Sequence, residues 1–318
     1  MIVMTERDII KMDEISYLLN SLQERQHDIE IRENELMKKH TSFKIGGPAR
    51  AMLFPKSEEA MINLCKLCYE SEVSPLIMGN GSNVLAADKE LNKVVINTSL
   101  IKNIELSGTS GHLQHIKSGA GANLASVAVF ALENSLVGFE FAHGIPGSIG
   151  GAVVMNAGAY GGEMKDVTVL TTIYSSESGL CEIKGEEHEF SYRHSRFSHT
   201  DDVIISVTLS LCEGDKKEIK QKMDELSEKR RASQPLDKPS AGSTFKRPKS
   251  GYAAELIERA GLKGFSIGDA EVSSKHAGFI INKGTATFDD TVKLIEHVKE
   301  TVFKQFSITL EPEIKIFS

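Results

Sequence analysis

The chain has no tryptophan, only four cysteines, and no apolar run long enough to cross a membrane. Four cysteines, at positions 65, 68, 181 and 212, are too few for a disulfide framework in 318 residues. A membrane-spanning helix needs about 20 consecutive apolar residues, so we expect no membrane segment. The first 14 residues carry charge where a secretory signal would be apolar. These absences favour a cytoplasmic protein.

The charge balance is acidic, with 44 Asp and Glu against 37 Lys and Arg and a net charge of −7. General nucleic-acid-binding proteins usually present a basic surface, so we expect no nucleic-acid partner. The length and the 40% hydrophobic content suffice for two or three domains with ample cores.

Glycine is concentrated in one segment, residues 138–162, which holds eight of the chain's 26 glycines. Such a segment is typical of a backbone that must approach a large flat or anionic ligand, although ordinary turns are the alternative. A second glycine motif, GNGSN at 79–83, follows a predicted buried strand at 75–78, where α/β proteins often hold phosphate. It matches neither a P-loop nor G-x-G-x-x-G. Together the two segments predict a dinucleotide held without a Rossmann fingerprint.

Hydrophobic periodicity predicts a mixture of helices and strands, which is typical of an α+β chain. Predicted helices cover 9–26, 123–134, 215–231 and 252–260, and two more begin at Ser57 and Thr287. Predicted strands cover 51–54, 75–78, 93–96, a hairpin at 104–119 with its turn at 108–111, 167–174, 180–183, 203–211, a short strand near Ala270, 278–281 and 309–317. A shift in composition near residue 214 predicts a domain boundary there.

The Cys65-x-x-Cys68 pair has the spacing of a metal or redox motif. It lies, however, within the apolar stripe of the helix that begins at Ser57, together with Met61 and Leu64. No second Cys or His pair follows at zinc-site spacing. We therefore predict that both cysteines pack in the core and that the chain has no metal site.

Three polar residues lie in short motifs that carry no decisive signal by spacing alone. Arg193 in SYRHSRF resembles a surface cation, Ser243 in AGSTFK lies in a loop, and Glu313 in LEPEIKIF resembles an edge-strand carboxylate. No Gly-x-Ser-x-Gly elbow supports Ser243 as a hydrolase nucleophile. Local pattern would not select any of the three.

Five motifs taken together change that interpretation: PLIMGNGSNVL, GFEFAHGIPGSIGGAVVMNAGAYGGE, SYRHSRF, PSAGSTFKRP and LEPEIKIF. In this order they resemble the UDP-N-acetylenolpyruvoylglucosamine reductases, over residues 38–317. The resemblance implies an α+β fold with a two-part FAD-binding module of the vanillyl-alcohol-oxidase type and a C-terminal α+β substrate domain. The implied division is a helical extension at 1–30, FAD-binding subdomains at 31–98 and 99–214, and a UDP-sugar domain at 215–318.

The resemblance also implies a reaction. With FAD and NADPH as cofactors, the enolpyruvyl ether of UDP-N-acetylglucosamine is reduced to UDP-N-acetylmuramate in peptidoglycan precursor synthesis. The inserted tyrosine loop of longer family members is absent, so the chain resembles the shorter subclass, and the residue that contacts the uracil is not identified. No protein partner is implied.

Residue roles follow from the motif matches. Arg193 would hold the substrate carboxylate, Ser243 would donate a proton, and Glu313 would assist with a raised pKa. Lys246 would contact substrate. The implied FAD contacts are Gly79, Asn80, Gly81, Ser82, Asn83, Gly144, Ile145, Pro146, Gly147, Ser148, Gly151 and Asn156.

Two other functions stay open from the sequence. One is a sugar or alcohol oxidase of the same FAD superfamily, with His143 as a conceivable covalent flavin link. The other is a nucleotide-sugar-binding regulator without flavin. The combination of Arg193, Ser243 and Glu313 favours the reductase over both. His276, in SSKHAGF, is interpreted as a satisfied surface histidine.

Overall fold

A computed structural model describes residues 13–24 and 28–318. Its helices are α1 (Glu14–Glu24), α2 (Glu58–Glu70), α3 (Leu124–Glu133), α4 (Ile149–Val154), α5 (Lys216–Ser233), α6 (Ala253–Arg259) and α7 (Phe288–Phe306). Among the described residues, every helix is too short or too polar to cross a bilayer.

The strands of the described residues fall into three larger sheets and two strand pairs. They are β1 (Ile29–Leu36), β2 (Pro48–Pro55), β3 (Leu76–Met78), β4 (Val84–Ala86), β5 (Leu91–Asn97), β6 (Ile104–Ser110), β7 (Leu113–Gly119), β8 (Leu136–Val137), β9 (Gly158–Ala159), β10 (Gly162–Glu163), β11 (Thr168–Ser175), β12 (Gly179–Lys184), β13 (Val203–Glu213), β14 (Ser240–Ser243), β15 (Ser266–Ile267), β16 (Ala270–Val272), β17 (Phe279–Asn282) and β18 (Lys315–Phe317).

The first sheet has the order β1-β2-β5-β3, in which β2 and β3 run parallel to β5. The second is antiparallel, with the order β12-β11-β13-β7-β6 and β8 paired to the end of β13. The third has the antiparallel order β14-β17-β16-β15. Strands β9 and β10 form a short hairpin.

The last strand joins the C-terminal segment to the segment that follows β3. β18 pairs in parallel with β4. The two strands exchange core contacts: Phe317 of β18 packs on the first sheet, and Leu85 of β4 is buried in the core formed by the third sheet and α7. The segment that follows β3 therefore lies beside the C-terminal segment, and this contact positions the cavity described below.

Helix α2 confirms the prediction made for the cysteine pair. Ser57 caps it by accepting a hydrogen bond from the Ala60 amide at 3.1 Å. Cys65 and Cys68 lie in the buried stripe with Met61. Burial raises the pKa of each thiol to about 12. Neither cysteine is then a thiolate at neutral pH, so the pair serves packing.

Helix α5 packs against the second sheet. Asp215 caps its first turn, and its buried residues Ile219 and Met223 belong to the core of that sheet. The helix thus contacts residues on the N-terminal side of the boundary expected near residue 214. The domain division itself stays a prediction.

Most of the predicted elements are present where the structure describes them, and two differ. Helix α1 is described only from Glu14, and the remainder of the predicted 9–26 helix lies outside the described residues, apart from Asp13. Strand β6 continues through Ser110, so the predicted hairpin turn at 108–111 is wrong and falls instead at 111–112.

The predicted strand at 309–317 is also wrong over most of its length, because regular pairing begins only at Lys315. Pro312 has no N–H to donate and makes a single bridge to Phe245. Strand β1 was not predicted, since several of its side chains are exposed and polar.

One buried histidine is held in its neutral form by the second sheet and its neighbours. His188 is fully buried, and its Nδ1 lies 2.9 Å from the Gly185 carbonyl oxygen, to which it must donate. Nε2 then accepts from Thr171 Oγ1 at 2.9 Å, and the ring stacks on Phe190. Burial lowers the pKa of His188. The folded state therefore disfavours the imidazolium.

This arrangement predicts a loss of stability in acid. An unfolded histidine titrates near pH 6.5, so below that pH the unfolded state binds the proton more readily than the folded state. His188 should reduce the free energy of unfolding by up to about 1.4 kcal/mol per pH unit as the pH falls from 6.5 to its folded pKa, with no effect above. Urea unfolding at pH 7.5 and 5.5 should give a smaller pH dependence for His188→Asn than for the wild type. An equal dependence would contradict the interpretation.

Candidate active site

A cavity of about 330 Å³ lies where the segment after β3, the glycine-rich segment around α4, strand β14 and the C-terminal segment meet. Most of the residues expected from the sequence line it. They are Gly79, Asn80, Gly81, Ser82, Asn83, Ile145, Pro146, Gly147, Ser148, Gly151, Arg193, Ser243 and Glu313.

Glycine lets the walls of this cavity approach each other. A Cβ on Gly79 would lie 2.0 Å from Ser148 Oγ, so a side chain at this position would force apart the two glycine-rich segments. Gly81 has φ of +60°, and a Cβ there would lie 2.2 Å from the His40 carbonyl oxygen. Both positions therefore require glycine, for space at the first and for space and conformation at the second.

The loop after β3 also holds the segment that carries Glu313. Asn83 Nδ2 donates to the Glu313 carbonyl oxygen at 3.1 Å, and the Lys315 amide donates to the Asn83 carbonyl oxygen at 2.9 Å. On the other side, the Glu313 amide donates to the Thr244 carbonyl oxygen at 2.8 Å. Because Thr244 follows Ser243, the same bonds fix Glu313 relative to Ser243.

Arg193 and Glu313 form an ion pair inside the cavity. Arg193 Nε lies 2.8 Å from Glu313 Oε1, and the two side chains are only 22% and 15% exposed. Arg193 has a left-handed backbone with φ of 54°, which is uncommon for a residue with a side chain. Its Nη2 also reaches the Gly158 carbonyl oxygen at 3.5 Å. The turn therefore directs Arg193 toward Glu313.

The electrostatics of Glu313 match the hypothesis made from the sequence. Burial raises the pKa of the Glu313 carboxyl, while the nearby charges of Arg193 and Lys246 act in the opposite direction. Burial is the largest of these effects. Removing the Arg193 charge from this carboxyl would raise its pKa further.

Ser243 lies at the end of β14, where the pairing with β17 is irregular and Gly242 has φ of +78°. The residue is exposed and lines the cavity. Its hydroxyl has no hydrogen-bond partner among the residues that the structure describes. It is thus free to interact with a ligand.

Three expected contacts lie outside the cavity lining. Gly144 packs against an arginine of α5, and Lys246 pairs with Glu311. Asn156 is fully buried, and its Nδ2 donates to Glu163 Oε2 at 2.8 Å and to the Ser191 carbonyl oxygen at 3.0 Å. Asn156 thereby braces the β9–β10 hairpin and the turn that holds Arg193.

Two histidines considered from the sequence also lie outside it. His143 Nδ1 is 3.2 Å from Ser227 Oγ of α5, so the side chain needed for a covalent flavin link has a partner elsewhere. His276 Nδ1 accepts from the Gly278 amide at 3.2 Å.

Arg230, Gln234 and Lys315 line the cavity but were not selected from the sequence. Arg193, Arg230 and Lys315 give the lining three cationic side chains against one carboxylate, that of Glu313. The chain as a whole has a net charge of −7. This local excess of positive charge suits an anionic ligand. Together with the glycine-rich walls, it fits the diphosphate of FAD.

Comparison with known families gives the class of protein. Residues 49–176 match the model of an FAD binding domain, and residues 234–317 match that of the UDP-N-acetylenolpyruvoylglucosamine reductase C-terminal domain. The chain is therefore a flavoprotein, and the expected α+β fold, an FAD-binding module followed by a C-terminal domain, is confirmed.

Individual relatives define the family more closely. The chain is 46% identical over 299 residues to UDP-N-acetylenolpyruvoylglucosamine reductase of Caldanaerobacter subterraneus subsp. tengcongensis, covering 94% of this chain and 97% of that protein. It is 45% identical over 287 residues to the Clostridium novyi enzyme, covering 90% and 92%. The crystal structure of the Thermus caldophilus enzyme matches with a TM-score of 0.77 and 31% identity, over 91% of this chain and 99% of that one. The chain belongs to the UDP-N-acetylenolpyruvoylglucosamine reductase family and is an FAD-dependent oxidoreductase.

Proposed function

We propose that the protein reduces the enolpyruvyl ether of UDP-N-acetylglucosamine to UDP-N-acetylmuramate, with NADPH as the reductant and FAD as the carrier. The observation that supports this most strongly is the cavity in which Arg193, Ser243 and Glu313 meet the glycine-rich walls. When bound, FAD supplies the substrate's vinyl CH₂ carbon with a hydride taken from NADPH. The protein's residues bind the substrate, stabilise the charge that develops and deliver the proton.

Arg193 binds the carboxylate of the enolpyruvyl group. Its guanidinium is a permanent planar cation that can hold a carboxylate through two hydrogen bonds. Hydride addition places negative charge on the adjacent carbon and its carboxylate, and Arg193 stabilises this enolate. The left-handed turn and the Asn156 network support the role, because they hold the guanidinium within the cavity.

The substrate carboxylate replaces Glu313 as the partner of Arg193. Glu313 is then a mostly buried carboxyl beside a second carboxylate, and both conditions favour its protonated form. A protonated Glu313 can donate a hydrogen bond to the enolate, whereas an ionised one would repel it. Substrate binding would therefore be coupled to proton uptake.

Ser243 donates the proton that completes the reduction. Hydride and proton add to the two carbons of the double bond, which becomes a single bond. A serine hydroxyl is a weak acid, but the enolate carbon is a sufficiently strong base if the hydroxyl is held within reach. The unpartnered hydroxyl at the cavity edge supports this role.

The glycine-rich segments bind FAD. Residues 79–83, 145–148 and Gly151 line the cavity, where their backbone amides can approach the cofactor. Lys246, which pairs with Glu311 just outside the cavity, is proposed to meet the UDP-sugar as it enters.

The product is a precursor of peptidoglycan, so we place the enzyme in cell-wall synthesis and, through it, in cell shape and division. A cytoplasmic location belongs to the same proposal. It is supported by the low cysteine content, with all four cysteines present as free thiols.

The proposed reaction is tested by its product. The purified protein, loaded with FAD and given NADPH and UDP-N-acetylenolpyruvoylglucosamine without oxygen, should yield UDP-N-acetylmuramate. The product is two hydrogens heavier than the substrate and is detected by mass spectrometry. If NADPH bleaches the flavin and only oxygen restores its colour, the fold assignment stands but the substrate is wrong.

The variant Ser243→Ala tests the proton donor. It should bind FAD and accept electrons from NADPH normally, because neither step needs the hydroxyl. Reoxidation of the flavin by the enolpyruvyl substrate should slow by about a hundredfold or more. Stopped-flow absorbance measures both half-reactions separately. Ser240→Ala, in the same strand but outside the cavity, is the matched control, and normal reoxidation in Ser243→Ala would remove the residue from this role.

A further inference from the structure

Arg230 contributes a cation to the cavity that has no counter-ion among residues 13–24 and 28–318. Its side chain is mostly buried, and its Nε is buried without a hydrogen-bond partner. No carboxylate among the described residues forms an ion pair with it. Burying part of a charged group without a partner is unfavourable, and an anionic ligand at this position would offset the cost.

The position of Arg230 in α5 explains why the side chain turns inward. Ile219, Met223 and Leu226 form the buried stripe of the helix at spacings of four and three, and Arg230 occupies the next position of this stripe. Its aliphatic stem packs on Gly144, where a Cβ would lie 3.0 Å from Arg230 Cδ. The guanidinium is thus held at the cavity wall by packing.

A second unpaired group lies one turn further along the chain. Gln234 also lines the cavity, and its backbone N–H donates to the Arg230 carbonyl oxygen at 2.9 Å. Its Oε1 is buried with no partner among the described residues. A guanidinium and a carboxamide that both lack partners in one wall indicate a polar ligand group there.

The surroundings identify that group by charge. Arg193, the other partly buried arginine of the lining, is already paired with Glu313, so Arg230 is left for a different anion. Arg230 packs against Gly144. Three residues further along the chain, Gly147 lies close to the loop at 79–83, since a Cβ on Gly147 would be 3.2 Å from Ser82 Oγ. Arg230 therefore lies beside the segments to which FAD binding is assigned.

We propose that Arg230 binds an anionic group of FAD and that Gln234 adds a hydrogen bond to the same region of the cofactor. FAD offers two such groups: its diphosphate, which is charged in both redox states, and the N1–C2 edge of the flavin, which gains charge on reduction. A planar guanidinium suits either through paired N–H donors. The inference depends on the FAD-binding part of the proposed function and is independent of the enolpyruvyl substrate.

The variant Arg230→Met tests this inference, because it keeps the stem and removes the charge. Arg231→Met, at the exposed next position, is the matched control. FAD affinity is measured by fluorescence titration of flavin-free protein, and thermal unfolding is followed with and without FAD. If Arg230 contacts the diphosphate, we expect Arg230→Met to bind oxidised FAD about tenfold to a hundredfold more weakly, since a charge-assisted hydrogen bond is lost. The flavin-free protein should be as stable as the wild type or more stable, because an unpaired buried charge has been removed. Arg231→Met should change neither property.

The midpoint potential of the bound flavin separates the two groups. Contact with the diphosphate predicts weaker binding of oxidised FAD and an unchanged potential. Contact with the N1–C2 edge predicts nearly unchanged binding of oxidised FAD and a lower potential. Unchanged affinity together with an unchanged potential would overturn the inference, and so would equal destabilisation of the FAD-free and FAD-bound forms.

The variant Arg230→Lys keeps the test decisive if Arg230→Met fails to fold. It retains the charge and should recover part of the lost affinity, whereas a purely structural role would leave FAD binding unaffected in any folded variant. Failure of the Arg230 inference leaves formation of UDP-N-acetylmuramate unaltered. Failure of the proposed reaction leaves the effect of Arg230→Met on FAD binding measurable.

Discussion

The ion pair between Arg193 and Glu313 is the contact on which the arrangement of the site depends. It joins the turn between β12 and β13 to the C-terminal segment at the cavity, with Nε and Oε1 only 2.8 Å apart. A mostly buried pair of this kind is costly to desolvate and contributes little net stability by itself. The position of the pair in the cavity lining supports the proposal that the two charges serve the reaction there.

The fold holds each partner by backbone bonds that do not depend on the pair. Glu313 is fixed between Thr244 and Asn83, so the loop proposed for FAD and the strand that ends at Ser243 both position the carboxyl. Parallel pairing of β18 with β4 fastens this segment to the stretch that follows β3, and Phe317 packs against the core of the first sheet. The proposed cofactor, proton donor and carboxyl are therefore held in one rigid relationship, as reaction geometry requires.

The sequence predicted the parts of the chain in which local pattern and packing agree. The capped helices at Ser57 and Thr287 and the buried Cys65–Cys68 stripe were predicted correctly. Pattern failed where tertiary contacts decide the structure. Pro312 prevents regular pairing, which shortens the last strand.

The site was predicted in outline, because most of the residues that the motif resemblance named line the cavity. Asn156 was expected to contact FAD, because it lies in the glycine-rich motif. It is instead fully buried, and its side chain supports the turn that holds Arg193. Arg230 lies in a highly charged helix, and the sequence predicts that most of its charges face solvent. Only its position on the stripe of Ile219, Met223 and Leu226 indicates that its side chain points inward.

Proton uptake on substrate binding tests the central claim most directly, namely that the substrate carboxylate takes Arg193 from Glu313. Isothermal titration of UDP-N-acetylenolpyruvoylglucosamine into the oxidised, FAD-loaded enzyme, in two buffers of different ionisation enthalpy near pH 7, gives the number of protons exchanged. We expect the wild type to take up as much as about one proton and Glu313→Gln to take up none. Binding without proton uptake by the wild type, or equal uptake by both proteins, would contradict the exchange.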